Sequence, residues 1–161
     1  MGNYFIKEIC EKNCAMMNVE GSLNLYHLLS RILYQDIAGD VVEVGCYRGL
    51  TAIILQKTLD EYRSVKRLHV YDSFEGLPEK GALDKFSPLG SIKKSIYQDN
   101  KRIGKGWFQT SEESLRANFH DFATELPFIY KGWFIEMSKK YNGCAAFLLQ
   151  YSFFVFFHHH S

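Results

Sequence analysis

The sequence predicts an α/β domain, a parallel sheet with helices on both faces. Three observations predict it. Val41-Val42-Glu43-Val44 is β-branched enough for a strand buried on both faces, and it runs into the glycine turn Gly45-Cys46-Tyr47-Arg48-Gly49. A helical pattern follows over about Leu50 to Tyr62, carrying Ile53, Ile54, Leu55 and Leu59. Arg67-Leu68-His69-Val70-Tyr71-Asp72 then reads as a second strand, and this strand–helix–strand spacing favours a right-handed crossover between parallel strands.

The other elements fall around that unit. Residues 1–20 give no clear element. From Ser22, a plausible N-cap, apolar residues recur at Leu25, Leu28, Leu29, Ile32 and Leu33, the stripe of an amphipathic helix. Gly39-Asp40 breaks that helix before the first strand. A long loop-like region runs from Ser73 to about Gln109, with Pro78, Pro88 and repeated glycines. Loops of this length inside a compact domain tend to be functional. Thr110-Ser111-Glu112-Glu113 has the form of a capping box, opening a helix that buries Leu115, Phe119 and Phe122. Pro127-Phe128-Ile129-Tyr130 is a third strand, and a short helical pattern runs from Trp133 to about Tyr141.

Composition bounds the function. A chain of 161 residues with 47% hydrophobic and 23% charged residues fits one ordinary globular domain. A net charge of +1 favours neither nucleic acid nor an anionic membrane as a partner. Lys93, Lys94, Lys101, Arg102 and Lys105 read as a solvated loop face. Cys10, Cys14, Cys46 and Cys144 form no disulfide framework and no zinc spacing, so a reducing cytoplasm is expected. The N-terminus lacks a signal-peptide core, and Ile6 stands where myristoylation wants Ser or Thr.

The glycine turn and the acids around it carry the chemistry. Ligands of doubly wound sheets bind beyond the carboxyl ends of the strands, and Gly45, Gly49 and Asp72 fall there. Both glycines would let backbone approach a ligand closely. Asp72 can accept two hydrogen bonds from a ribose diol, or it can be a turn acid. A pyrophosphate site wants G-x-G-x-x-G, but Tyr47 occupies the second glycine position and would crowd phosphates. S-adenosylmethionine has no phosphate and carries positive charge, so it suits this turn better than a dinucleotide. Glu43 would place an anion near the ligand's amino group or order the turn; the other reading is a buried acid satisfied by backbone amides.

At these residues the chain resembles a known family. Gly39-Asp40-Val41-Val42-Glu43-Val44-Gly45-Cys46-Tyr47-Arg48-Gly49 and Val70-Tyr71-Asp72-Ser73-Phe74-Glu75-Gly76-Leu77-Pro78 resemble two motifs of the macrocin O-methyltransferase family. Thr110 to Leu115, Asn118-Phe119 and Tyr130 to Phe134 resemble its next segment. The resemblance covers about residues 19–134. It implies a truncated, Rossmann-like S-adenosylmethionine-dependent methyltransferase fold, with residues 1–161 as one incomplete domain. It also implies methyl transfer to the hydroxyl of a small molecule, such as a sugar on a natural product. Glu43, Gly45, Tyr47, Arg48, Gly49, Asp72 and Ser73 would then line the cofactor pocket, with Cys46 and Thr51 in the same segment.

The tail departs from the family. Magnesium is implied there by an Asp-rich motif and an adjacent Asp pair, yet no aspartate follows Asp121, so no metal ligand is assigned. A non-catalytic binding remnant of the fold is therefore the alternative. No catalytic base is assigned either, because His27, His69 and His120 read as structural or solvated. The aromatic run from Cys144 to Phe157 reads as a buried fourth strand, a processed or out-of-frame end, or a membrane-contacting segment too short to span a bilayer. In a sheet of order 3-2-1 the first strand would be an unpaired edge, and this tail is expected to cover it.

Overall fold

The computed structural model describes residues 4–12, 18–79, 105–133, 136 and 143–150. Their elements run α1 (Tyr4–Lys12), α2 (Val19–Tyr34), β1 (Asp40–Val44), α3 (Leu50–Glu61), β2 (Leu68–Asp72), α4 (Glu112–Asp121), β3 (Phe128–Lys131) and β4 (Ala145–Gln150). The sheet has the order β3-β2-β1-β4, and every pairing is parallel. The expected crossover from β1 through α3 to β2 is present, and β1 lies inside the sheet rather than at its edge.

The cover for β1 comes from the aromatic tail. Val41 pairs with Phe147 and Glu43 with Leu149. Gly39 makes the close approach: with φ +112°, an added Cβ there would lie 2.5 Å from the Cys144 carbonyl oxygen and 2.7 Å from the Ala146 nitrogen. The tail beyond Gln150, and the short helix expected from Trp133 to about Tyr141 apart from Trp133 and Glu136, lie outside the described residues.

Strand alternation divides the side chains between two faces. Val41, Leu68 and Val70 enter the main core with Ile9, Leu25, Leu29, Ile53, Ile54, Leu55, Leu115 and Phe119. Val42, Val44 and Tyr71 form a separate cluster on the other face. All four described helices contribute side chains to this main core, and the parallel sheet is flanked by helices as the sequence predicts. α3 is the central one: Ala52 to Leu55 are fully buried, so the helix is enclosed rather than amphipathic.

Three local readings also change. α1 exists where no element was expected. Ile6, Ile9 and Cys10 are its buried stripe, and Lys7–Glu11 and Glu8–Lys12 pair across its exposed turns. α2 starts four residues early, capped by Asn18, whose side chain accepts the Gly21 N–H; Ser22 lies buried inside the helix, and Leu28 is exposed. α4 is capped by Ser111 instead of Thr110, the Ser111 hydroxyl accepting the Ser114 N–H.

Candidate functional site

The site assembles where β1 and β2 end. β1 continues through Gly45, whose N–H donates to the Tyr71 carbonyl, and the chain turns through Cys46 to Gly49, closed by a Gly49 N–H to Cys46 carbonyl bond of 2.7 Å. Tyr47 takes a left-handed φ of +51° within this bend. For a bulky residue that conformation carries strain and persists only where neighbours over-determine it.

Asp72 is one such neighbour. Its Oδ2 accepts the Tyr47 N–H at 2.8 Å and its Oδ1 accepts the Phe74 N–H at 2.7 Å. The carboxylate therefore faces the bend, and each oxygen keeps acceptor capacity for a further donor. Ser73 makes a small turn of its own, its hydroxyl accepting the Glu75 N–H.

Glu43 lies beneath the bend and is fully buried. Thr51, in the first turn of α3, donates its hydroxyl to Glu43 Oε1, while Glu43 Oε2 has no hydrogen-bond partner. Of the two readings of Glu43, satisfaction by backbone amides is corrected: the Thr51 side chain satisfies one oxygen and no described group satisfies the other. Burial pushes the Glu43 carboxyl up to about 8, the Thr51 hydrogen bond opposes that, and the Asp72 charge adds to it. Cys46 is buried, and its thiol is raised further above the ordinary range by burial and by the Glu43 and Asp72 charges. It is suited to packing, not to nucleophilic attack.

Gly49 also has a packing task. It is the N-cap of α3 at φ +79°, and a Cβ there would meet Leu115 Cγ at 3.0 Å and Phe119 Cε2 at 3.1 Å. Its bareness admits the Leu115 and Phe119 side chains of α4. As Gly49 has no side chain, the first amides of α3 lack a side-chain cap and are disposed to meet an anion. Arg48 anchors α4 from the other side, its carbonyl accepting from Asn118 Nδ2, while its guanidinium lies over the Tyr47 ring.

Sequence reasoning missed Phe108. Its ring meets Tyr47 edge-on at a centroid distance of 5.9 Å, and it too has a left-handed φ, +63°. It reaches the bend because the Asp-Ser-Phe-x-Gly-Leu-Pro segment clasps the chain around it. Leu77 N–H donates to Trp107 O, Gly106 N–H to Leu77 O, and Thr110 N–H to Phe74 O. Gly76 permits the clasp, since a Cβ there would lie 2.5 Å from Trp107 O. The glycine pairs Gly76 and Gly106 were the available signal.

His69 sits away from this end of the sheet. It bridges the Tyr130 hydroxyl and Asp40 Oδ2 and stacks on Phe128, as a structural histidine does. His120 is exposed on α4. Among the described residues no group of three or more His, Cys, Asp or Glu side chains could hold a metal ion.

Comparisons with known proteins identify the family. A family model described as macrocin-O-methyltransferase (TylF) matches residues 12–143. The 8-demethyl-8-(2,3-dimethoxy-alpha-L-rhamnosyl)-tetracenomycin-C 4'-O-methyltransferase of Streptomyces olivaceus is 30% identical over 115 residues, 69% of this chain and 41% of that protein. Demethyldecarbamoylnovobiocin O-methyltransferase of Streptomyces niveus is 28% identical over 122 residues, 74% of this chain and 44% of that protein. The solved O-methyltransferase NovP superposes with a TM-score of 0.57 at 25% identity, covering 76% of this chain and 48% of that one. The chain thus spans less than half the length of these relatives. With that family model matching residues 12–143, most of its length, this chain belongs to the macrocin O-methyltransferase family.

Proposed function

We propose that this chain binds S-adenosylmethionine at the bend between β1 and α3 and serves methyl transfer to a hydroxyl of a small molecule, a sugar or another natural product. The observation that carries the reading is the Asp72 carboxylate facing the bend, with spare acceptor capacity for a ribose diol. Glu43 supports it: a buried oxygen without a partner suits a cationic ligand. The uncapped amides of α3 suit the ligand's carboxylate, and Tyr47 with Phe108 gives an aromatic wall. Gly45, Cys46, Arg48, Thr51 and Ser73 shape or brace the pocket in this reading.

When bound, the sulfonium supplies the methyl group for an in-line displacement. The chain's own contribution is orientation: Asp72 and the bend fix the donor, and alignment of donor with acceptor supplies about 7–11 kcal/mol in well-oriented reactions. Among the described residues no group of three or more His, Cys, Asp or Glu side chains could hold a metal ion, so no magnesium ligand is assigned to them. The second reading is a cofactor-binding role without turnover. The free Cys10, Cys46 and Cys144 suit a reducing compartment such as the cytoplasm. No described helix is long and apolar enough to cross a membrane.

Calorimetric titration with S-adenosylmethionine, S-adenosylhomocysteine and NAD tests the site. Binding of the first two and not NAD is expected; binding of NAD alone would overturn the assignment. A methyl-transfer assay with a hydroxylated sugar acceptor, with and without magnesium, separates the catalytic reading from the remnant.

A further inference from the structure

Glu43 is in an unusual position for a carboxylate. It is fully buried inside β1, one oxygen is held by Thr51 and the other meets no donor among the described residues. The groups that act on it from its surroundings are the Thr51 hydroxyl on α3 and the Asp72 carboxylate on β2, and Glu43 in turn acts on the Cys46 thiol in the bend. None of these three brings positive charge. A buried carboxylate with no cation and one unpaired oxygen is costly as an anion, and the inexpensive state is the neutral acid.

We propose that Glu43 is protonated while the site is empty and gives up its proton when a cationic group of the cofactor enters, so that cofactor binding releases a proton. The balance is simple. Glu43–COOH and the incoming cation become a carboxylate–cation pair, and the proton goes to the buffer. No bond other than O–H breaks. The inference rests on the cofactor assignment above, and it adds a coupling between ligand occupancy and pH. The raised affinity of the carboxyl for its proton agrees with the geometry. Two cations of the ligand could do this, the ammonium and the sulfonium, and S-adenosylhomocysteine keeps only the first.

Titration calorimetry at pH 7 in buffers of different ionisation enthalpy reads the released proton directly. For the intact chain, about one proton per bound ligand is expected. The Glu43→Gln variant, which keeps shape and the Thr51 partner, should bind with close to none. Release with both ligands assigns the effect to the ammonium; release with S-adenosylmethionine alone assigns it to the sulfonium. In a second measurement, the dissociation constant should fall about tenfold per pH unit from pH 6 to 7.5 in the intact chain. Glu43→Gln should lack that slope. The ligand's own α-amino group, which titrates near 7.7–8.0 in peptides, is common to both proteins and cancels in the comparison. Binding with no buffer-dependent heat overturns the proton coupling and leaves the cofactor assignment standing. Absence of binding to either ligand overturns both.

Discussion

Asp72 Oδ2 accepts the backbone N–H of Tyr47 at 2.8 Å, tying the tip of β2 to the bend that follows β1. The same carboxylate holds the Phe74 N–H at 2.7 Å, so it fixes two chain segments before any ligand arrives. Asp72→Ala is expected to cost about 2–3 kcal/mol, because hydrogen bonds to a charged acceptor are lost and two part-buried amides are left unpaired. S-adenosylhomocysteine affinity should fall more than tenfold in the same variant. Urea unfolding and titration calorimetry measure the two effects. A large loss of affinity with unchanged stability would mean that Asp72 serves the ligand alone.

Gly49 and Gly106 share φ +79°, yet their surroundings differ. At Gly49 a Cβ would press on Leu115 and Phe119 at 3.0–3.3 Å, whereas at Gly106 the nearest atom is Gln109 Oε1 at 4.0 Å. Both alanine variants carry the left-handed penalty of about 1–2 kcal/mol. Gly49→Ala should add about 1–3 kcal/mol from overpacking at α4. The difference between the two in chemical denaturation isolates the packing effect. Equal losses would show that α4 yields freely.

The elements most legible in the sequence are those where one pattern decides. β1, α3 and β2 were readable because Val41 to Val44, the glycine turn and Leu68 to Asp72 combine burial with punctuation. α1 was overlooked although Ile6, Ile9 and Cys10 follow helical spacing, because it is short and has no capping signal. At both α2 and α4 the chosen cap was a real Ser or Thr near the true one. Capping depends on which residue leaves helical geometry first, and composition alone does not fix that. At the site, Glu43 and Asp72 were named, but the packing role of Gly49 was not, since its neighbours Leu115 and Phe119 come from far along the chain. Phe108 was harder to find for the same reason: its proximity to Tyr47 arises from the clasp between Leu77 and Trp107, which Gly76 and Gly106 signal only indirectly.

Gly39 controls whether β4 can cover β1. Its Cβ would meet backbone atoms of Cys144 and Ala146, which cannot swing aside as a side chain can. Gly39→Ala is therefore expected to loosen β4 and open the β1 edge to other chains. Size-exclusion chromatography with light scattering should show soluble aggregates, while Cys144→Ser stays monodisperse. Deleting residues 144–161 should make the protein insoluble; a soluble deletion variant would show that β1 tolerates a bare edge.

Glu43 should also shape stability against pH without any ligand. Its carboxyl titrates near 4.5 when unfolded and is raised to about 8 in the folded chain. The folded state therefore binds more protons than the unfolded one between those values, and stability falls as pH rises through that window. The contribution is fully present below about 4.5 and is lost once pH exceeds about 8. At about 1.4 kcal/mol per pH unit the whole span is on the order of 5 kcal/mol. Asp40 runs the other way: net of its burial, the Arg67 N–H and His69 hold its carboxyl below the ordinary range, so its contribution fades only as the solution becomes acidic. Glu43→Gln removes the first effect and keeps the second. Unfolding free energies at pH 5, 6.5 and 8 should decline for the intact chain and stay flatter for Glu43→Gln, with the variant the more stable of the two at pH 8. Parallel curves would mean that Glu43 is ionised in the folded protein, with its free oxygen stabilised by some other group.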